Sequence, residues 1–233
     1  MLKQLIQDLE KLSDPNRAIN SARYFKTGLG QYGEGDKFYG ITVPETRIVV
    51  KKYYKLLSLD DVEKLILNEY HEQRLTGLLV LVAKFKSANE DEKKSIYEFY
   101  MAHTKNINNW DLVDTSASYI VGNYLYDKDR TILYELSKSD NLWEKRISII
   151  STFFFIAKKD FNDSLKICKI LMNDSHDLIH KATGWALREI GKKDEEVLTK
   201  FLDENTLHMP RTMLRYAIEK FDENKRKHYL NLK

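Results

Sequence analysis

Residues 180–189 read His180-Lys181-Ala182-Thr183-Gly184-Trp185-Ala186-Leu187-Arg188-Glu189. Lys181 is one of five charged residues that each open an apolar helical run. The others are Arg74 before Leu75, Asp111 before Leu112, Arg146 before Ile147 and Arg211 before Thr212. These pairs recur roughly 35 residues apart, and a second helical stretch lies between successive runs. Helix pairs repeating at this period are the signature of a HEAT-like α-solenoid. Stacked pairs bury a continuous core and expose one helix of each pair on a concave surface. The expected fold is therefore all-α, a curved α-solenoid of HEAT-like antiparallel helix pairs. No linker interrupts it, so one repeat domain is expected over residues 1–233.

The rest of the chain reads the same way. Apolar residues fall at helical spacing near 2–12, 16–26, 44–56, 60–68, 71–86, 90–104, 108–121, 128–138, 142–156, 161–172, 176–191, 194–202, 210–220 and 223–231. Asp14-Pro15, Pro44-Glu45 and Pro210 suit first helical turns. Hydrophobic residues make up 42% of the chain, enough for one sizeable core, and 9 glycines and 3 prolines leave few breakers. Five of those glycines crowd into residues 27–40, Thr-Gly-Leu-Gly-Gln-Tyr-Gly-Glu-Gly-Asp-Lys-Phe-Tyr-Gly. This is an expected ordered loop whose glycines permit positive φ or close backbone approach. No strand precedes it and no Gly-Lys-Ser/Thr follows, which argues against a nucleotide-binding loop. A connector between the N-terminal helices and the rest is the simpler reading.

Charge and cysteine content narrow the function classes. The net charge is only +3, so any nucleic-acid surface must come from local clustering. A single cysteine, Cys168, excludes a disulfide framework and a multi-cysteine zinc site. It lies in the apolar run Leu165–Leu171 and reads as a small buried residue. The N-terminus lacks a signal-peptide core, and no apolar stretch is long enough to span a membrane. A cytoplasmic monomer without metal, organic cofactor, membrane or obligate protein partner is expected.

The equivalent helices concentrate an unusual set of side chains. Trp110 and Asp114 are i,i+4 neighbours, as are Lys181 and Trp185, and Arg211 and Arg215; Trp185 and Arg188 are i,i+3. If the repeat holds its register, these faces form one concave strip of indoles, one carboxylate, and flanking arginines and lysines. Guanidinium and ammonium groups hold phosphates. Indole faces attract cations and stack on flat rings. A carboxylate among them would repel DNA unless it faced a developing positive charge, and a sugar losing its base becomes oxocarbenium-like. Each residue also has an ordinary structural reading. A repeat tryptophan commonly belongs to the core, Asp114 could be a capping carboxylate, and Arg146 and Arg188 could be ion-pair partners.

The chain resembles the AlkD-like DNA alkylation repair family, bacterial alkylpurine DNA glycosylases built from HEAT-like repeats. The resemblance rests on Tyr24-Phe25-Lys26, Val43-Pro44-Glu45-Thr46-Arg47, Trp110-Asp111-Leu112-Val113-Asp114, Leu142-Trp143-Glu144-Lys145-Arg146 and residues 180–189. It implies excision of cationic lesions such as 7-methylguanine and 3-methyladenine from duplex DNA, without the base-flipping pocket of other glycosylases. By that similarity Trp110, Asp114 and Trp185 match the catalytic cleft residues, and Arg146 a DNA-backbone arginine. Lys181, Arg188, Arg211 and Arg215 are further backbone-contact candidates from helical position, and Arg47 and Tyr24 are candidates to contact DNA or shape the cleft. The glycine-rich segment and residues 209–216 depart from the family's pattern, which bears on lesion range. The alternatives are a non-catalytic HEAT-like binder of bent or branched DNA, expected to lack the Trp/Asp set, and a protein–protein scaffold, which would need no basic strip.

Overall fold

The computed structural model describes residues 1–232 and is 72% helical, with no strand among the described residues. The all-α class follows. Extended pairing there is limited to an isolated parallel bridge between Lys37 and Tyr70. No described helix is long and apolar enough to cross a membrane. The chain forms two compact units, residues 1–116 and residues 117 onward.

The first unit holds α1 (Leu2–Glu10), α2 (Pro15–Tyr24), α3 (Val43–Tyr53), α4 (Leu59–Ile66), α5 (His71–Ser87), α6 (Glu90–Ala102) and α7 (Trp110–Asp114). Their starts are written in side chains that satisfy the first unpaired backbone N–H groups. Asp14 accepts from the amides of Asn16 and Arg17 ahead of α2, with Pro15 in the first turn. Reciprocal capping boxes open α3 (Thr42 and Glu45), α4 (Ser58 and Asp61) and α6 (Asn89 and Glu92). The central element is α5, against which α3, α4, α6 and α7 pack. Leu75, Leu78 and Leu81 of α5 bury against a core that includes Val62, Leu65 and Ile66 of α4, each worth ~1.5–3 kcal/mol of apolar burial. Unusually, the N-terminal turns of α5 are buried as well, and they carry His71, Glu72, Gln73 and Arg74.

The second unit holds α8 (Asn123–Leu125), α9 (Thr131–Leu136), α10 (Leu142–Ser151), α11 (Phe153–Ala157), α12 (Asn162–Leu171), α13 (Asp177–Lys193), α14 (Glu195–Asn205), α15 (Arg211–Ala217) and α16 (Glu223–Asn231). Here α10 packs on α9, α12 and α13, while α13 packs on α12, α14 and α15. The marking helices α10 and α13 thus each touch a partner helix and the next marking helix. Close approach of α13 to α15 depends on Gly184, where a Cβ would strike the Met213 carbonyl and the Tyr216 side chain. Cys168 is fully buried, its thiol facing the Thr183 carbonyl at 3.7 Å and pushed up in pKa by that burial.

Two expected helices are interrupted. The stretch 108–121 ends its α-helix at Asp114 and continues into a π-helical turn, Ser118–Gly122. The stretch 142–156 divides at Thr152 into α10 and α11. In both places adjacent hydroxyls bond back onto carbonyls of the preceding turn, which bends or loosens a helix. Thr115 and Ser116 reach the carbonyls of Asp111 and Leu112 at 2.7 and 2.5 Å. Ser151 and Thr152 reach those of Ile147 and Ile149, both at 2.7 Å.

Candidate functional site

In the first unit, α7 presents Trp110 and Asp114 on one half-exposed face while Asp111, Leu112 and Val113 are buried. The helix begins where the Asn109 side chain accepts from the Trp110 amide at 2.8 Å. The Trp110 ring does not float on this surface. It stacks on Phe25, with centroids 5.2 Å apart and planes at 17°, and meets the edge of Tyr24 at 5.7 Å. Tyr24 itself is 65% exposed. Structure therefore assembles Tyr24, Trp110 and Asp114, three residues far apart in the chain or paired only by helical spacing.

Beneath this face lies a buried charge cluster. The His71 side chain is 2% exposed, with Nδ1 3.2 Å from Asp36 Oδ2 and Nε2 2.8 Å from Asp111 Oδ2. Arg74 Nη2 donates to Asp36 Oδ1 at 2.6 Å, and the Asn109 amide adds a long bond to Asp36 at 3.5 Å. Phe25 and Phe38 lie against the imidazole at 4.7 and 4.8 Å. Burial alone would lower the pKa of His71, but the charge of Asp111 and hydrogen bonds to Asp111 and Asp36 outweigh it and raise it to about 9. Burial likewise disfavours the Asp36 carboxylate, yet its bond to His71 and the charge of Arg74 hold its pKa below the ordinary value. Within this cluster each carboxylate faces a cationic partner, His71 between Asp36 and Asp111 and Arg74 beside Asp36, which offsets the cost of burying them.

The glycine-rich segment is what carries Asp36 inward. Its tail is secured by Glu72, whose carboxylate accepts from the amides of Tyr39, Gly40 and Ile41 at 3.0, 2.8 and 3.2 Å. Gly40 has φ +80° and sits where a Cβ would strike the Asp14 carbonyl and the Ala18 amide. At Gly33 a Cβ would collide with the Phe25 carbonyl. These two positions need glycine for close approach. The segment is a connector, as the sequence suggests, and also one wall of the charge cluster.

In the second unit, Lys181, Trp185 and Arg188 form a half-exposed strip along α13 opposite its buried Ala182, Ala186, Leu187 and Ile190. Trp185 Nε1 donates to Glu189 at 3.1 Å, and its ring meets the edge of Phe153 at 4.6 Å. The basic residues fall into three groups. Arg211 and Arg215 on α15 are exposed, as is Arg47 on α3 of the first unit. Lys181 pairs with Asp177 at 2.7 Å, and Arg188 pairs with Glu219. Arg146 is buried at 5% exposure, and its Nη1 donates to the Leu178 carbonyl at 2.7 Å, tying α10 to the start of α13.

The residues missed by sequence reasoning are Asp36, His71, Asn109 and Phe38. Arg74 was visible only as a repeat marker, and Asp111 as a repeat marker and a member of the Trp110–Asp114 motif. The available signal was weak: a lone histidine ahead of Glu72 and Arg74 at the start of an apolar helix. Among the described residues no cluster of His, Cys, Asp or Glu is arranged to hold a metal ion. His71, Asp36 and Asp111 direct their facing atoms at one another.

A predicted DNA alkylation repair enzyme from Enterococcus faecalis is similar in structure, with TM-score 0.70 and 16% identity over 91% of this chain and 97% of that one. AlkD2 from Streptococcus mutans is similar with TM-score 0.61 and 18% identity, over 95% of this chain and all of that one. At these identities the likeness speaks for the fold. No curated protein matches the sequence. The family model described as DNA alkylation repair enzyme matches residues 5–221, and the chain belongs to that family.

Proposed function

We propose that the protein is a DNA glycosylase that removes positively charged N3- or N7-alkylated purines from duplex DNA. The observation that carries this reading is the α7 face, where a carboxylate and a rigidly stacked indole stand side by side at half exposure. A cationic purine is already a good leaving group, so little proton donation is needed. What the reaction needs is stabilisation of positive charge on the sugar as the glycosidic bond breaks. Asp114 supplies that charge and orients the attacking water. The face of Trp110 favours a cationic nucleotide by cation–π attraction, and Trp185 of the second unit carries the same chemistry.

Phosphate contacts fall first to the exposed Arg47, Arg211 and Arg215. Lys181 and Arg188 would exchange carboxylate partners for phosphate. Arg146, buried at 5% exposure and bonded to the Leu178 carbonyl, would have to be uncovered before it met a phosphate. Release of free 7-methylguanine from methylated duplex DNA by the purified protein tests the reading. Tight duplex binding with no base release would move the protein to the non-catalytic DNA-binding class.

A further inference from the structure

We propose that His71 is a positioning residue for this reaction: clamped between Asp36 and Asp111, it fixes the first turn of α7 and thereby the placement of Trp110 and Asp114. The inference rests on the glycosylase reading for its catalytic consequence, and on geometry for the clamp itself. His71 joins segments 35 and 40 residues away in the chain, the glycine-rich segment through Asp36 and α7 through Asp111. The coupling to α7 is direct. Asp111 uses Oδ2 for His71 and Oδ1 for the Leu112 amide at 2.9 Å, so the imidazole holds a carboxylate that takes up an amide of the first turn. A second route runs through the rings. The imidazole lies against Phe25, and Phe25 stacks on Trp110.

The groups facing the imidazole are Asp36 from the glycine-rich segment, Asp111 from α7, and the Phe25 and Phe38 rings. Arg74 of α5 bonds to Asp36 and its charge also opposes that of the imidazole directly, while Asn109 reaches it through Asp36. A charged imidazole donates to both carboxylates, whereas a neutral one has a single N–H and must release one of them. Loss of the proton therefore loosens either the glycine-rich segment or α7.

The test uses the full-length protein. Imidazole nitrogens and indole N–H groups are followed by NMR from pH 6 to 10, with Trp110 assigned by Trp110→Phe. We expect His71 to stay protonated until close to pH 9, with the Trp110 indole signal moving at the same midpoint and that of Trp185 staying still. His71→Gln should then slow single-turnover release of 7-methylguanine by about ten- to a hundredfold, with duplex affinity held within about twofold because no phosphate contact is removed. A Trp110 signal indifferent to the His71 titration, or a folded His71→Gln variant that excises at the wild-type rate, would overturn the clamp. Should His71→Gln fail to fold, the wild-type titration decides alone. If the wild type releases no base, the glycosylase reading falls, and the titration still judges the clamp.

Discussion

Two half-exposed tryptophans, Trp110 at the start of α7 and Trp185 within α13, are held in different ways. Trp185 is positioned by its own helix: its indole N–H bonds to Glu189 one turn on, and Phe153 supplies one edge contact. Trp110 is positioned from a distance. Phe25 stacks beneath it, Tyr24 closes its edge, and a buried histidine with two carboxylates and an arginine sets the helix it begins. A side chain held by its own helix tolerates local change. One held by a desolvated charge cluster depends on every member, because any loss leaves an uncompensated charge in a low-dielectric interior.

The largest expected effect follows from that dependence. Asp36→Ala leaves His71 and Arg74 buried with one carboxylate between them, and should destabilise the protein by about 3–5 kcal/mol in urea or thermal melts. A cost below about 1 kcal/mol would erase the contrast with Trp185. Next in size is Asp114→Asn, which preserves shape and removes charge. Single-turnover excision should fall by about 10²–10³-fold, with duplex affinity unchanged or improved, since a carboxylate near phosphates has gone. Excision within about threefold of wild type would remove Asp114 from the chemistry; the threefold line allows for ordinary scatter in mutant kinetics.

The pH dependence comes next, and its sign is determined by the raised pKa of His71. The folded state holds the proton more tightly than the unfolded chain, so this contribution is full below about 6.5 and is lost as pH rises through about 9. Melting temperature should decline across that window, and His71→Gln should flatten the decline. Smaller again is the effect of the exposed cations. Arg211→Ala and Arg215→Ala should each weaken duplex binding and reduce its salt slope by about 1, and Arg188→Ala should do less because Glu219 already occupies its guanidinium. The smallest change is expected from Glu189→Gln, under about 1 kcal/mol, because an amide oxygen still accepts the Trp185 indole N–H at the rim of a helix.

How much was legible beforehand differs between the two tryptophans for the same reason. The strip Lys181-Trp185-Arg188 could be read directly, since helical periodicity alone places those residues on one face and leaves Ala182, Ala186 and Leu187 to the core. The pairing of Trp110 with Asp114 was equally visible. Nothing local, however, links Asp36 to His71 or His71 to Asp111, and no periodicity reports that the start of an amphipathic helix will be buried. Nor does spacing separate basic residues by environment: Arg146 shares its repeat position with Lys181 and Arg211 but is enclosed, because α13 begins beside it and offers the Leu178 carbonyl.

By itself the sequence determined the all-α class, most helix starts, the burial of Cys168 and the neighbours on each helix face. These depend on interactions within one or two turns, which a linear pattern records. Only the tertiary structure decided which segments converge beneath Trp110, where two helices break, and which cations are already paired. Those outcomes depend on desolvation and on contacts between residues about 30–40 positions apart, and the free energy of a buried charge is a property of everything that surrounds it rather than of its place in the chain.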